Sequence, residues 1–198
     1  MTSALPSDDD PIARTRHWLE RAVISLNLCP FAKAVYARQQ VRFVLSDATT
    51  PEVLLEALVA ELQWLRDADP QETDTTLLIH PHVLVDFLDY NDFLDVADAA
   101  IAALDLDGEI QIASFHPDYR FADSLDGAVE NCTNRSPLPM LHLLREASVA
   151  RAVDAFPDAD AIVERNMATL RRLGMDGWRR LLATSPGDTE QAINPSPA

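Results

Sequence analysis

The fold is decided by residues 76–115, which read TLLIHPHVLVDFLDYNDFLDVADAAIAALDLDGEIQIASF. The first five residues, TLLIH, and the last seven, EIQIASF, are rich in branched and aromatic apolar side chains, a composition typical of β-strands. Between them, residues 91–104 place apolar side chains at helical spacing, namely Phe93, Ala97, Ala100, Ile101 and Leu104. The stretch therefore predicts a strand, a helix and a second strand.

The same pattern extends toward the N-terminus. VRFVLS (41–46) is a third strand candidate, and TPEVLLEALVAELQWLRD (50–67) is an amphipathic helix pattern that separates it from residue 76. Strands that alternate with helices at this spacing are typical of right-handed βαβ crossovers, which make the strands parallel. We therefore predict the α/β class, with a small, mainly parallel sheet covered by helices. The alternative is an α+β sandwich with one antiparallel strand.

Further helices are predicted on both sides of this unit. Asp10 and Pro11 are typical of a helix start, and the apolar spacing that follows predicts a helix over 11–27. Pro30 interrupts it, since proline lacks the backbone donor that a helix interior needs, and a shorter helix follows. Additional C-terminal helices are predicted over residues 137–150, 158–173 and 175–183.

The two ends of the chain lack apolar periodicity. Residues 1–10 and 184–198 are polar and contain several prolines, so they are predicted to be a disordered head and a disordered tail. This leaves residues 11–183 as a single α/β domain, which is long enough to bury a substantial core.

The composition is strongly acidic. Asp and Glu number 32 and Lys and Arg 16, which gives a formal net charge of −16. This charge repels phosphate backbones and anionic lipids, so no nucleic-acid partner is expected. No apolar run approaches the roughly 20 residues that cross a bilayer, and residues 1–10 lack the features of a secretory signal. We therefore expect a cytoplasmic protein without a membrane-spanning segment.

The segment FHPDYRF (115–121) gathers chemically active side chains where the last predicted strand ends. In open α/β sheets ligands bind beyond the carboxyl ends of the strands, so His116 is a candidate general acid or base. Asp118 and Tyr119 are candidates for orienting the His116 imidazole or contacting the substrate. Arg120 is a candidate for binding the substrate. The alternative is a histidine that is hydrogen-bonded within a loop.

The segment TNRSPLPML (133–141) has the signature of a helix start, with Ser136 as the N-cap and Pro137 in the first turn. Free amides at such an end favour an anion, to which Arg135 can add paired donors. Asn134, Arg135 and Ser136 are therefore predicted to bind the substrate. The alternative is an ordinary capped helix whose arginine pairs with an aspartate.

His142 lies five residues after Pro137 in the predicted helix. We interpret it as a partly buried residue that supports the substrate site. No metal is predicted, because the spacings of His80, His82, His116, Cys132 and His142 match no known zinc site.

Cys29 precedes Pro30 at the predicted restart of a helix, where the helix dipole can lower the pKa of a thiol and increase its reactivity. CPFA (29–32) resembles the active-site start of omega-type glutathione transferases and, more loosely, of glutaredoxins, but in those proteins it follows a strand. Cys29 is thus a candidate nucleophile, with a buried, inert cysteine as the alternative. With only one other cysteine, Cys132, the chain is not expected to contain a disulfide framework.

Four blocks carry a family resemblance, in the order LNLCPFAKAV, DYNDFLDVADAAIAAL, QIASFHPDYRFA and TNRSPLPMLHLLREAS. Together they resemble the bacterial domain-of-unknown-function family 1415, over about residues 12–174. The resemblance implies a bacterial, soluble, single-domain protein, and it transfers no catalytic residues.

Three functional hypotheses follow from these residues. The first is an enzyme that acts on a small anionic metabolite, with Arg135, Ser136 and Asn134 binding the anion and His116 moving a proton. The second is a non-catalytic binding or regulatory module that uses the same anion site. The third is a thiol redox protein centred on Cys29. The sequence identifies no cofactor and no oligomeric state.

Overall fold

The computed structural model describes residues 10–125, 127–155 and 159–183. It contains four strands, β1 (Val41–Leu45), β2 (Thr75–Ile79), β3 (Ile110–Phe115) and β4 (Met140–Arg145). The helices are α1 (Pro11–Trp18), α2 (Ala32–Ala37), α3 (Pro51–Asp67), α4 (Phe87–Ala103), α5 (Glu146–Ala155) and α6 (Ala159–Ala183). The segments predicted to be disordered, 1–10 and 184–198, lie outside the described residues except for Asp10.

The first helix begins as the sequence predicted. The Asp10 side chain accepts a hydrogen bond from the Ile12 amide at 3.0 Å, and Pro11 occupies the first turn. After Trp18 the chain continues as a π-helical segment, Leu19–Ile24, a rare form in which the hydrogen bonds span five residues. The predicted helix over 11–27 is therefore present up to Ile24, and its second part is more widely wound than an α-helix.

The two long central helices bury leucine-rich and aromatic stripes against the sheet. In α3 the buried residues recur every three or four positions, at Leu54, Leu58, Leu62 and Leu65. Asp86 caps α4 by accepting from the Leu88 amide at 2.8 Å, and the buried residues of α4 include Tyr90 and Phe93. These helices connect the first three strands and cover one face of the sheet.

The sheet has the strand order β1, β2, β4, β3. The first two strands pair in parallel, whereas β4 is antiparallel to both β2 and β3. As a result β1, β2 and β3 run in one direction, and one strand of opposite direction lies between β2 and β3. The predicted α/β class and the three predicted strands are confirmed, although two of the three strand pairs are antiparallel.

The predicted helix over 137–150 is wrong in its first part. Residues 140–145 form β4, and helix α5 begins only at Glu146. The segment is rich in Leu and Met, which favour helices, but hydrogen bonds to strands on both sides outweigh that small preference. Alternation confirms the strand, since Leu141 and Leu143 pack on one face of the sheet and Met140 on the other.

The second face of the sheet is covered by the N-terminal and C-terminal helices. Leu77 and Ile79 of β2 pack there with Trp18, Leu170 and Trp178. Helix α6 changes direction at Gly174, whose φ of 67° is a left-handed conformation that glycine adopts without strain. This is the position at which the sequence predicted a break between its last two helices.

Candidate functional site

The segments that follow β2 and β3 meet at one edge of the sheet, because these two strands run in the same direction. An open cavity of about 380 Å³ lies between them. Its volume is within the range of small-molecule sites, roughly 300–1,000 Å³. It is lined by Val85, Asp86, Phe87, Leu88, Asp118, Arg120, Gly127 and Arg135.

Arg135 is positioned by backbone contacts on either side of it. The His116 amide donates to the Asn134 carbonyl at 3.2 Å, and the Ser136 amide donates to the His116 carbonyl at 3.4 Å. The carbonyl of Arg135 accepts from the Trp18 indole at 2.9 Å. The Arg135 side chain donates from Nε to the Tyr119 carbonyl at 3.2 Å, and this contact orients the guanidinium beside the cavity.

The other charged groups of the cavity lie on the segments before α4 and after β3. Asp118 and Arg120 are exposed on the segment after β3. Asp86 is occupied as the helix cap, since its carboxylate accepts from the amides of Leu88 and Asp89. The cavity therefore contains two guanidinium groups and two carboxylates, one of which already serves the start of α4.

His116 is fully buried and does not line the cavity. Its Nδ1 accepts from the Asp118 amide at 3.0 Å, and its Nε2 lies 3.2 Å from the Leu84 carbonyl. These partners assign the neutral tautomer that carries its proton on Nε2. Burial lowers the pKa of His116 below its usual value, so the imidazole stays neutral and joins the two segments that form the cavity.

The structure changes the roles available to Asn134 and Ser136. No helix starts at Ser136, whose hydroxyl donates to the Leu138 carbonyl at 2.7 Å. The Asn134 amide group donates to the Ser114 carbonyl at 3.1 Å and so fastens the segment to the outer edge of β3. The predicted helix dipole and its free amides are thus absent at this point, because residues 140–145 are a strand.

A row of aromatic rings packs beside the cavity and begins with Phe87, which lines it. Phe87 contacts Tyr119 edge-on at 5.3 Å between ring centroids, and Tyr119 contacts Phe121 in the same way at 5.0 Å. The Phe121 amide donates to the side chain of Asn131, which is fully buried. Tyr119 therefore accepts a hydrogen bond from Arg135 with its carbonyl and packs its ring against Phe87.

Cys29 and His142 do not line this cavity. Cys29 is partly buried and packs against the core on the second face of the sheet. His142 lies in β4, where its Nε2 is 2.6 Å from the Thr75 hydroxyl. Of the nine predicted site residues, the structure brings Asp118, Arg120 and Arg135 together around the cavity, with His116, Tyr119, Asn134 and Ser136 supporting them from behind.

Sequence reasoning missed the segment HPHVLVD (80–86), whose last two residues, Val85 and Asp86, line the cavity. His80 Nδ1 lies 3.1 Å from the Val83 carbonyl, and Leu84 adopts a left-handed φ of 54°, which is uncommon for a leucine. The position of this segment in the sequence could have identified it, because residues 80–86 follow a buried strand and lack periodicity, as residues 116–121 do.

Membrane-spanning helices and metal-binding clusters are absent from the described part of the chain. Among residues 10–125, 127–155 and 159–183, no helix combines the length and apolar character that a bilayer crossing requires. In the same ranges, His, Cys, Asp and Glu side chains nowhere gather in groups of three suited to holding a metal ion.

Over residues 10–180, the chain matches the family described as protein of unknown function (DUF1415). Because this match covers most of the 198 residues, the chain belongs to that family, as the four sequence blocks predicted. No curated protein and no solved structure matches the chain significantly.

Proposed function

We propose that this family member is a cytoplasmic protein that binds a small anionic metabolite in the 380 Å³ cavity. The observation that carries the proposal is the convergence of Arg120 and Arg135 on one cavity from separate parts of the chain. A guanidinium is a planar group that binds carboxylate and phosphate with paired donors. Arg135 is the principal contact, because the Tyr119 carbonyl and the backbone bridge to His116 fix its position.

The surrounding charge favours a specific small ligand over a polyanion. With a net charge of −16, the protein repels a long chain of phosphates, so nucleic acid is not part of the proposal. A single anionic group faces less repulsion, because it meets two arginines at close range. Val85, Phe87 and Leu88 give the cavity an apolar side next to its charged groups.

Binding is better supported than catalysis by His116. A general base needs a nitrogen that reaches the substrate, whereas both ring nitrogens of His116 are engaged by backbone groups. The enzyme hypothesis therefore depends on Asp118, an exposed carboxylate in the same cavity. Cys29 is not part of this proposal, since it packs against the core on the second face of the sheet.

The test is anion binding by the Arg135→Ala variant. Ligand-induced thermal shifts and calorimetry with phosphate, sulfate and acetate give the affinities at constant ionic strength. A charge-assisted contact contributes about 1.5–3 kcal/mol, so the affinity should fall about tenfold to a hundredfold. Arg66→Ala is the matched control, because Arg66 is exposed, pairs with its neighbour Asp67 and lines no described cavity.

Two results would contradict the proposal. Wild-type protein that binds none of these anions would exclude the site, and equal affinity in the Arg135→Ala and Arg66→Ala variants would assign binding to general surface charge. Arg120→Ala should show a smaller loss than Arg135→Ala, because Arg120 lies on the exposed segment after β3.

A further inference from the structure

A second, larger cavity adjoins the first. It has a volume of about 530 Å³ and lies between the start of α3 and the outer side of α4. Val85 lines both cavities, so the two spaces share a wall. The lining consists of Thr49, Pro51, His82, Val83, Leu84, Val85, Asp89, Asp92, Phe93 and Val96.

Most of this lining is apolar, and part of it is exposed. Val83, Leu84 and Phe93 are buried and form the floor, whereas Val85 is 61% and Val96 42% exposed. Leu88, which lines the first cavity beside Val85, is 62% exposed. Contiguous apolar side chains in a concave surface are typical of a ligand site, because covering them removes apolar area from water.

The charged groups differ between the two cavities. The first contains two arginines together with the carboxylates of Asp86 and Asp118, whereas the second contains carboxylates, those of Asp89 and Asp92, and, among the described residues, no arginine or lysine beside its apolar floor. An anionic group is therefore attracted only at the arginine end. A second negative charge at the far end of the same ligand would meet these carboxylates at close range and be repelled.

We propose that the two cavities form one bipartite site for an amphipathic ligand with a single anionic head group, which places a carboxylate or phosphate at Arg135 and an apolar arm past Val85 into the second cavity. This inference rests on the proposed function and adds the class of ligand to it. Val85, exposed and common to both cavities, is the residue over which the arm passes.

The test is a series of linear carboxylates, from acetate through butyrate and hexanoate to octanoate. Affinity should rise along the series by up to about fourfold for each methylene that becomes fully buried. Octanedioate, which has the length of octanoate and a second carboxylate, should bind more weakly than octanoate. Hexyl phosphate compared with hexanoate then distinguishes a phosphate head from a carboxylate head.

Two variants assign the effect to the second cavity. Val96→Asp should keep acetate binding and remove most of the gain with chain length, and Val96→Ser is a milder version should the first not fold. Val163→Asp is the matched control, because Val163 is also exposed but lies on α6 and lines neither cavity. Asp89→Asn should raise the affinity for octanedioate and leave that for octanoate unchanged.

The outcomes separate this inference from the proposed function. Equal binding of acetate and octanoate by the wild-type protein would overturn the bipartite site and leave the anion site in place. A chain-length effect that survives in Val96→Asp would likewise overturn it. Failure of every carboxylate and phosphate to bind would overturn both proposals together.

Discussion

The stability of this protein should fall steeply between pH 7.5 and pH 5.5, because histidines are buried in their neutral form. His80 is fully buried, its Nδ1 faces the Val83 carbonyl, and its Nε2 has no hydrogen-bond partner among the described residues. Burial lowers the pKa of His80 to about 4, and the neighbouring His116 acts in the same direction. Protonation of His80 therefore requires far more free energy in the folded protein than in the unfolded chain.

The sign follows from which state binds the proton more readily. Between pH 6.5 and pH 4 the unfolded chain takes up a proton that folded His80 refuses, so the free energy of unfolding decreases as the pH falls through this window. The full pKa difference corresponds to about 3 kcal/mol, of which about 1.3 kcal/mol is lost between pH 7.5 and pH 5.5. His116 and His142, whose pKa values burial also lowers, add losses of the same sign.

Urea unfolding at pH 7.5, 6.5 and 5.5 measures this loss, in a range where ordinary carboxylates stay ionised. His80→Asn keeps a donor for the Val83 carbonyl but cannot titrate. Between pH 7.5 and pH 5.5 its free energy of unfolding should therefore fall by about 1.3 kcal/mol less than that of the wild type. His82→Asn is the control, since His82 is exposed on the same segment. The argument fails if the wild-type stability is constant over this range, or if His80→Asn loses as much as the wild type.

Two further predictions concern Tyr90 and the cysteines. Tyr90→Phe removes a buried hydroxyl that donates to the Met140 carbonyl at 2.8 Å and accepts from the Phe115 amide at 3.0 Å, so it should cost about 1–3 kcal/mol of unfolding free energy. The cost should exceed that of the more exposed Tyr36→Phe, and an equal or smaller cost would contradict the role of the hydroxyl. In the native protein iodoacetamide should modify Cys29 before Cys132, because Cys132 is fully buried and burial raises the pKa of its thiol. Mass spectrometry that finds Cys132 alkylated first would reject this order.

The elements that the sequence predicted correctly are those whose pattern is local. Residues 50–67 and 91–104 carry apolar side chains at helical spacing, and the start signal at Asp10 lies directly beside the helix that it caps. The strands β1, β2 and β3 are short apolar runs between such helices, which made their type easy to assign. Local pattern therefore identified the first three strands and the helices between them.

Strand β4 could not be found in the same way, because what makes it a strand lies far away in the sequence. MLHLLR (140–145) pairs with Thr75–Ile79 on one side and Ile110–Phe115 on the other, and neither interaction is visible in the segment itself. Its leucines and methionine favour a helix in isolation, and Ser136 followed by Pro137 resembles a helix start. The error is thus one of tertiary context outweighing local preference.

That single error also explains which predicted site residues changed their role. A helix starting at Ser136 would have turned free amides toward an anion, whereas the extended chain that leads into β4 pairs its backbone with His116. Arg135 lies between the two hydrogen bonds of that pairing. The extended backbone, which replaces the predicted helix, therefore also holds the Arg135 guanidinium beside Tyr119. In the proposed site, the side chains of Arg135 and Arg120 therefore take the anion-binding role that the sequence predicted for backbone amides. This is why Arg135→Ala is expected to abolish most of the binding, whereas Ser136→Ala, which removes only the hydroxyl bond to Leu138, should leave the affinity for acetate and phosphate close to that of the wild type.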